Sequence, residues 1–121
     1  MVSLPLTEDF LPADREVLDL DEVARLLGVS QGRVRTLIAD HTLLALRRDC
    51  RPVVPAVFFD DGDILKHLTG LIAVLIDGGY QRDEVMHWLF TEQDDLAIMP
   101  IDALHGHQAR EMMRRAQAQA F

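Results

Sequence analysis

Five arginines carry the chemistry that this sequence is best equipped to do. Arg33 and Arg35 stand two apart in SQGRVRTLIA, and Arg47, Arg48 and Arg51 crowd together in LRRDCR. A guanidinium is a planar fork of N–H donors that keeps its charge at any physiological pH. It can hold a phosphate, or the O6/N7 edge of guanine, through two parallel bonds. Ser30, Gln31 and Thr36, interleaved with the first pair, add donors and acceptors suited to phosphate oxygens and base edges.

Other chemistries find little footing. The only serines are Ser3 and Ser30, so a Ser-His-Asp arrangement would have to recruit a terminal residue. Cys50 sits among arginines that favour a thiolate, but no histidine is implied beside it. His105 and His107 form an H-x-H pair, which holds a metal only if two further ligands converge. Gly78-Gly79 lacks the flanking pattern of a phosphate-binding loop. The expectation is a protein that is not an enzyme and uses no cofactor or metal.

The arginines need elements to aim them, and those elements are legible from Leu20 to Ala39. Ala24 suits a close helix crossing, Gly28 supplies the turn four residues later, and Val34 follows six further on. Val23, Leu27, Val29 and Leu37 fill the apolar frame. The glycine allows a reversal through positive φ, Ser30 caps the second helix, and Asp19 with Glu22 forms a capping box for the first. This pattern predicts a helix-turn-helix. An ordinary helical hairpin is the plainer alternative. In a helix-turn-helix Val34, Leu37 and Ile38 pack inward, and Gln31, Arg33, Arg35 and Thr36 face outward.

After the second helix, LLALRRDCRPVV alternates weakly and reads as a β-hairpin wing with Arg47, Arg48 and Arg51 around its tip. The tip, Asp49-Cys50, lacks the glycine that two-residue hairpin loops prefer. The charge distribution agrees with this placement. The chain's net charge is -8, which as a whole opposes binding to phosphate. Residues 1–22 carry -6, residues 23–59 carry +4, and residues 60–121 carry -6. The positive charge thus lies on the helix-turn-helix and the wing.

The remaining chain frames these elements. Residues 1–14 show no period and read as a flexible acidic tail, in which Thr7, beside Glu8 and Asp9, is a phosphorylation candidate. Pro55 opens a short turn through Phe59, with both phenylalanines in the core. Asp60 to Asp63, DDGD, lacks the ligand spacing of a calcium loop and reads as the acidic start of a helix over Ile64–Asp77. A helix over Asp83–Phe90 follows, then a short one near Pro100. The last runs over His107–Ala120, with Ala109, Met112, Met113, Ala116 and Ala120 inward and Glu111 paired to Arg115 outside. The longest apolar run, Leu71 to Ile76, is too short to span a bilayer, there is no secretory signal, and a cytoplasmic location is expected.

The stretches VARLLGVSQGRV, LALRR with VVPAVFF, GLIAVLIDGGY, EVMHWLFT and PIDALHGHQAREMMRRAQAQAF together resemble the actinobacterial winged helix-turn-helix DNA-binding proteins typified by the mycobacterial substrate of the Ser/Thr kinase PknL. The resemblance implies double-stranded DNA binding through the second helix and the wing, and it raises a Ser/Thr protein kinase as a further partner. A weaker resemblance links HWLFTEQDDLAIMPIDALHGH to the toxin-binding part of antitoxins related to MbcA and ParS.

The expected architecture is mainly α, a winged helix-turn-helix over residues 15–60 with an α-helical C-terminal part over 61–121 packed on it. The expected function is a double-stranded DNA-binding transcriptional regulator, with DNA contacts from Ser30, Gln31, Arg33, Arg35, Thr36, Arg47, Arg48 and Arg51. The alternative is an antitoxin-like interaction module that takes a protein partner at its C-terminal helices and binds DNA secondarily.

Overall fold

The structure, a computed structural model, describes residues 4–11 and 14–120. The chain divides into two compact units, one ending at Ile64 and the other starting at Leu65.

The first unit contains β1 (Thr7–Glu8), β2 (Val17–Asp19), α1 (Leu20–Leu27), α2 (Gln31–Ala39), β3 (Leu46–Arg48), β4 (Arg51–Pro55), a 3-10 turn (Ala56–Phe58), β5 (Phe59–Asp60) and β6 (Asp63–Ile64). Both helices start as expected. The Asp19 carboxylate accepts from the Glu22 N–H at 2.8 Å, and Glu22 accepts from the Asp19 N–H at 3.1 Å. Ser30 Oγ accepts from the Arg33 N–H at 3.1 Å. Gly28, at φ 70°, ends α1 in the left-handed region; its N–H reaches the Arg25 carbonyl at 3.3 Å and that of Val29 reaches Ala24 at 3.0 Å. Two orphan carbonyls are thereby satisfied, as in the Schellman motif. Val23, Ala24, Val34 and Ile38 form the buried seam between the helices. Val29 lies outside that seam, contrary to expectation, and is 38% exposed, as Leu26 is at 36%.

Four strands form one sheet in the order β1-β3-β4-β2. The hairpin β3–β4 pairs Leu46 with Val53, Arg47 with Pro52 and Arg48 with Arg51. Its loop is therefore the two residues Asp49 and Cys50, with φ of 53° and 63°. Positive φ at both positions is the requirement of a type I′ turn, met here without glycine. Strand β2 runs antiparallel to β4, with Asp19 opposite Val53, and leads straight into α1. The same aspartate thus closes a strand and caps a helix, which ties the helix-turn-helix to the wing.

The flexible tail expected over residues 1–14 is corrected at β1. Thr7 and Glu8 pair in parallel with Leu46 and Arg47, and the Thr7 N–H donates to the Ala45 carbonyl at 2.9 Å. Thr7 is only 2% exposed. The segment buries Leu11, and the Leu11 N–H donates to the Asp9 carboxylate at 3.1 Å. Once β3 offers an edge, extended backbone beside it gains hydrogen bonds that a free tail lacks.

The DDGD segment is corrected too. Phe59 and Asp60 pair antiparallel with Ile64 and Asp63, and the loop between them is Asp61-Gly62 at φ 52° and 77°. Asp-Gly is the preferred loop pair of such hairpins, and here that signal outweighs the helix-dipole argument.

The second unit contains α3 (Leu68–Asp77), α4 (Arg82–Leu89), α5 (Pro100–Ala103) and α6 (Ala109–Ala120). Leu68, Leu71, Ile72 and Leu75 of α3 are buried, as are Val85, Met86 and Leu89 of α4 and Met112 and Ala116 of α6. Gly79, at φ 100°, closes α3, with the Tyr80 N–H reaching the Leu75 carbonyl at 3.0 Å. The outer pair expected between Glu111 and Arg115 is present at 3.8 Å, within a larger cluster. Arg115 also forms a two-pronged bond to Asp95 at 2.8 and 2.6 Å, and Glu111 also accepts from Arg114 at 2.8 Å. No helix among the described residues is long and apolar enough to cross a membrane.

Candidate nucleic-acid interface

Helix α2 is amphipathic, with one side spent on packing. Val34 and Ile38 are buried and Leu37 is half-buried, while Gln31, Arg33, Arg35 and Thr36 are exposed. Their exposure follows from the helical period, because 34, 37 and 38 share one face and 31, 33, 35 and 36 fall outside it. Two of the polar groups are partly committed. Thr36 Oγ1 donates to the Gly32 carbonyl at 3.1 Å, so its oxygen is left as an acceptor. Ser30 Oγ accepts from the Arg33 N–H, so its own proton is left to donate.

The wing arginines fall into two classes. Arg47 and Arg51 are exposed, and like Arg33 and Arg35 they take part in none of the ion pairs among the described residues. Arg48 is different. Its Nε donates to Asp9 Oδ2 at 2.6 Å, its second prong reaches Asp9 Oδ1 at 3.0 Å, and its remaining nitrogen donates to the Arg15 carbonyl at 3.3 Å. The side chains of Arg48 and Asp9 are 17% and 24% exposed. The hydrogen bond from Arg48 holds the Asp9 carboxyl below the ordinary carboxylate value, with the backbone N–H of Leu11 helping against partial desolvation. The same bond raises Arg48 above the usual guanidinium value. The guanidinium expected on phosphate is therefore occupied by a carboxylate from β1's own segment.

The helix and the wing meet at one place. Gln31 and Arg35 of α2, Arg51 and Pro52 of β4, and Asp19, Leu20 and Asp21 at the start of α1 line a single shallow depression. The antiparallel register that sets Asp19 beside Val53 brings β4's first residues to the start of α1. The two carboxylates are engaged locally, Asp19 as the cap of α1 and Asp21 with Arg25 at 3.0 Å.

No group of three or more metal-ligating side chains gathers among the described residues. Trp88, Gln93, Arg114, Arg115, Ala118 and Gln119 line a depression in the second unit, but its two arginines are bound to Glu111 and Asp95. The sequence reading missed the Asp9–Arg48 clamp because the partners lie far apart in the chain. The signal that existed, an acid-bearing extended segment ahead of an arginine-rich strand, is too common to have singled it out.

Comparison with known proteins follows the same division. Residues 3–59 match the family described as DNA-binding protein Rv2175c, wHTH domain, and residues 65–120 match the Rv2175c C-terminal domain of unknown function. The chain is 43% identical to DNA-binding protein Rv2175c of Mycobacterium tuberculosis, covering 98% of this chain and 90% of that one. It superposes on the NMR structure of Rv2175c with a TM-score of 0.88 at 42% identity, over 99% of this chain and 91% of the other. The two-part match, the identity along nearly the whole length and the shared fold make this chain a member of the Rv2175c family of winged helix-turn-helix proteins.

Proposed function

We propose that the protein binds double-stranded DNA with α2 in the major groove and the wing on the adjoining backbone, and that it acts as a transcriptional regulator. The observation that carries this reading is the convergence of Arg35 from α2 and Arg51 from the wing on one surface depression. Two exposed guanidiniums from different elements, with Gln31 at the start of α2 on the same surface, suit a duplex whose groove floor and phosphate rim are met together. Arg35 is the base-reading residue and Arg33 its backbone neighbour. The relative's name, DNA-binding protein, supports the same reading.

The test is binding of duplex fragments recovered from a randomised pool, followed over a range of salt. Affinity that falls linearly on log–log axes, together with enrichment of a preferred sequence, is the expected result. Affinity indifferent to salt would refute the phosphate contacts. For Thr7, the kinase expectation acquires a condition. Its hydroxyl lies on a buried strand position, so a kinase reaches it only when β1 leaves β3.

A further inference from the structure

After proline, glycine is the residue a helix favours least, because it gives up the most backbone freedom and adds no packing. Helix α2 nevertheless carries one, Gly32, and neither its conformation nor its surroundings call for it. Its backbone lies outside the left-handed region that Gly28, Gly62 and Gly79 occupy. Beyond its chain neighbours and the helix's own backbone, a methyl group placed there meets Ser30 Oγ at 3.7 Å among the described residues, an ordinary van der Waals contact. The residue is exposed. Its place on the helix is what sets it apart. Each residue turns an α-helix by about 100°, so Gly32 stands about 160° round from the fully buried Val34, on the outermost line of α2. Arg33 and Arg35 fall about 100° to either side of Val34 and so flank that line. Thr36, one turn further along it, folds its hydroxyl back onto the Gly32 carbonyl at 3.1 Å. The crest of the helix is therefore low, with an arginine on each side.

We propose that Gly32 is a positioning residue that sets the depth at which α2 enters the major groove. The inference rests on the DNA-binding reading above. A helix with its side chains is about 10–12 Å across and the major groove about 12 Å wide, so the fit leaves little room. A side chain on the outermost line meets the groove floor first and holds the backbone off by its own thickness. With only hydrogen there, the backbone settles closer to the base edges. Arg35, rooted on the flank of the helix, then reaches guanine O6 and N7 with both of its prongs. The cost of glycine to the helix is offset by a contact that forms only with DNA. Stability and binding should therefore respond to its replacement in opposite directions, whereas a glycine that served the fold would move both together.

The full chain and its Gly32→Ala, Gly32→Leu and Gly70→Ala variants are melted without DNA, then titrated with a duplex enriched from a randomised pool and with random duplex. Gly70 is the control. It too is exposed within a helix, α3, where an added methyl would make an ordinary contact with Met113 Cε at 3.6 Å. Gly32→Ala should melt about 2–4 °C above the parent, since alanine restricts the unfolded chain and suits the helix. It should nevertheless bind the enriched duplex about five- to a hundredfold more weakly, the worth of one two-bond arginine–guanine contact, and lose most of its preference over random duplex. Gly32→Leu, whose longer side chain still favours a helix, should bind more weakly again. Gly70→Ala should melt higher by a similar amount and keep both parental affinities. Parental affinity and preference in Gly32→Ala overturn the inference and leave DNA binding intact. So does a Gly32→Ala protein that melts lower while binding less, which would make the glycine a requirement of the fold. So does an equal loss in the alanine and leucine variants, which would mean backbone freedom and not depth. A parent that enriches nothing and ignores salt overturns both the inference and the DNA-binding reading.

Discussion

Arg48, expected on phosphate, is paired with Asp9, and a salt titration tests whether it also reaches DNA. Each arginine on a phosphate contributes about 0.9 to the log–log dependence of affinity on salt. If Arg47 and Arg51 face phosphate, replacing both with alanine lowers the slope by about 1.8. Arg48→Ala should leave the slope of the parent, because its guanidinium is held by Asp9 at 2.6 and 3.0 Å. Its cost should appear in stability instead. The bond is charge-assisted and two-pronged, but both side chains keep some contact with water, so a loss of about 1 kcal/mol is expected. That corresponds to a melting temperature lower by roughly 4 °C. Asp9→Asn is the reciprocal change. It weakens the clamp without deleting the strand, so Arg48 becomes available and the slope should rise by up to about 0.9. Fluorescence anisotropy of a labelled duplex between about 50 and 200 mM salt, beside thermal melts of the same proteins, reads both quantities. A slope lowered as much by Arg48→Ala as by Arg47→Ala would refute the reasoning, since it would mean that Arg48 leaves Asp9 for phosphate when DNA arrives.

Three further outcomes follow from the geometry. Arg35→Ala should lose about 1–3 kcal/mol of discrimination between a preferred site and random duplex; an unchanged ratio of the two affinities would remove Arg35 from base reading. Cys50→Gly should stabilise the first unit by about 0.5 kcal/mol, because relief of an unfavourable left-handed conformation exceeds the entropy that glycine loses on folding. Chemical denaturation checks it, and a destabilised variant would show that the Asp49-Cys50 loop is not strained. Asp95 is held down to about 2 from 3.8, chiefly by the hydrogen bond from Arg115. A carboxyl lowered in the folded state contributes stability above 3.8 and loses it as pH falls toward 2, so Asp95→Asn should flatten the acid side of the stability curve in that window. Identical acid titrations of parent and variant would contradict this.

The helix-turn-helix was legible because its determinants are local. The capping box, the Ser30 cap and the left-handed Gly28 each lie within a few residues of the groups they satisfy, and the buried seam of Val23, Ala24, Val34 and Ile38 follows helical spacing. The wing was legible for the same reason, but the length and type of its tip were not, because Asp49-Cys50 lacks the glycine that marks a two-residue loop. What stayed hidden was set by partners distant in sequence. Strands of two and three residues, such as β1 and β2, are too short to show alternation, and β1 exists only because β3 offers an edge 39 residues later. Arg115 had an acceptable local partner in Glu111. It keeps that pair at 3.8 Å and adds the closer Asp95, which accepts two of its N–H groups and lies 20 residues away in sequence.

The charge partition changes its meaning once these contacts are known. Seven acids precede residue 23, beside a basic segment, and as a mobile tail they would compete with DNA for the arginines. At least four of the seven are bound into the first unit: Asp9 on Arg48, Asp19 and Glu22 in the capping box of α1, and Asp21 on Arg25 and Gln31. Each neutralises or caps a group beside the exposed guanidiniums. On the proposed DNA-binding reading the acids would thereby select which arginines remain for phosphate, since Arg48 is held by Asp9 while Arg33, Arg35, Arg47 and Arg51 stay exposed. On that reading, fewer phosphate contacts would lower the sequence-independent affinity and leave a larger share of recognition to residues at the base edges.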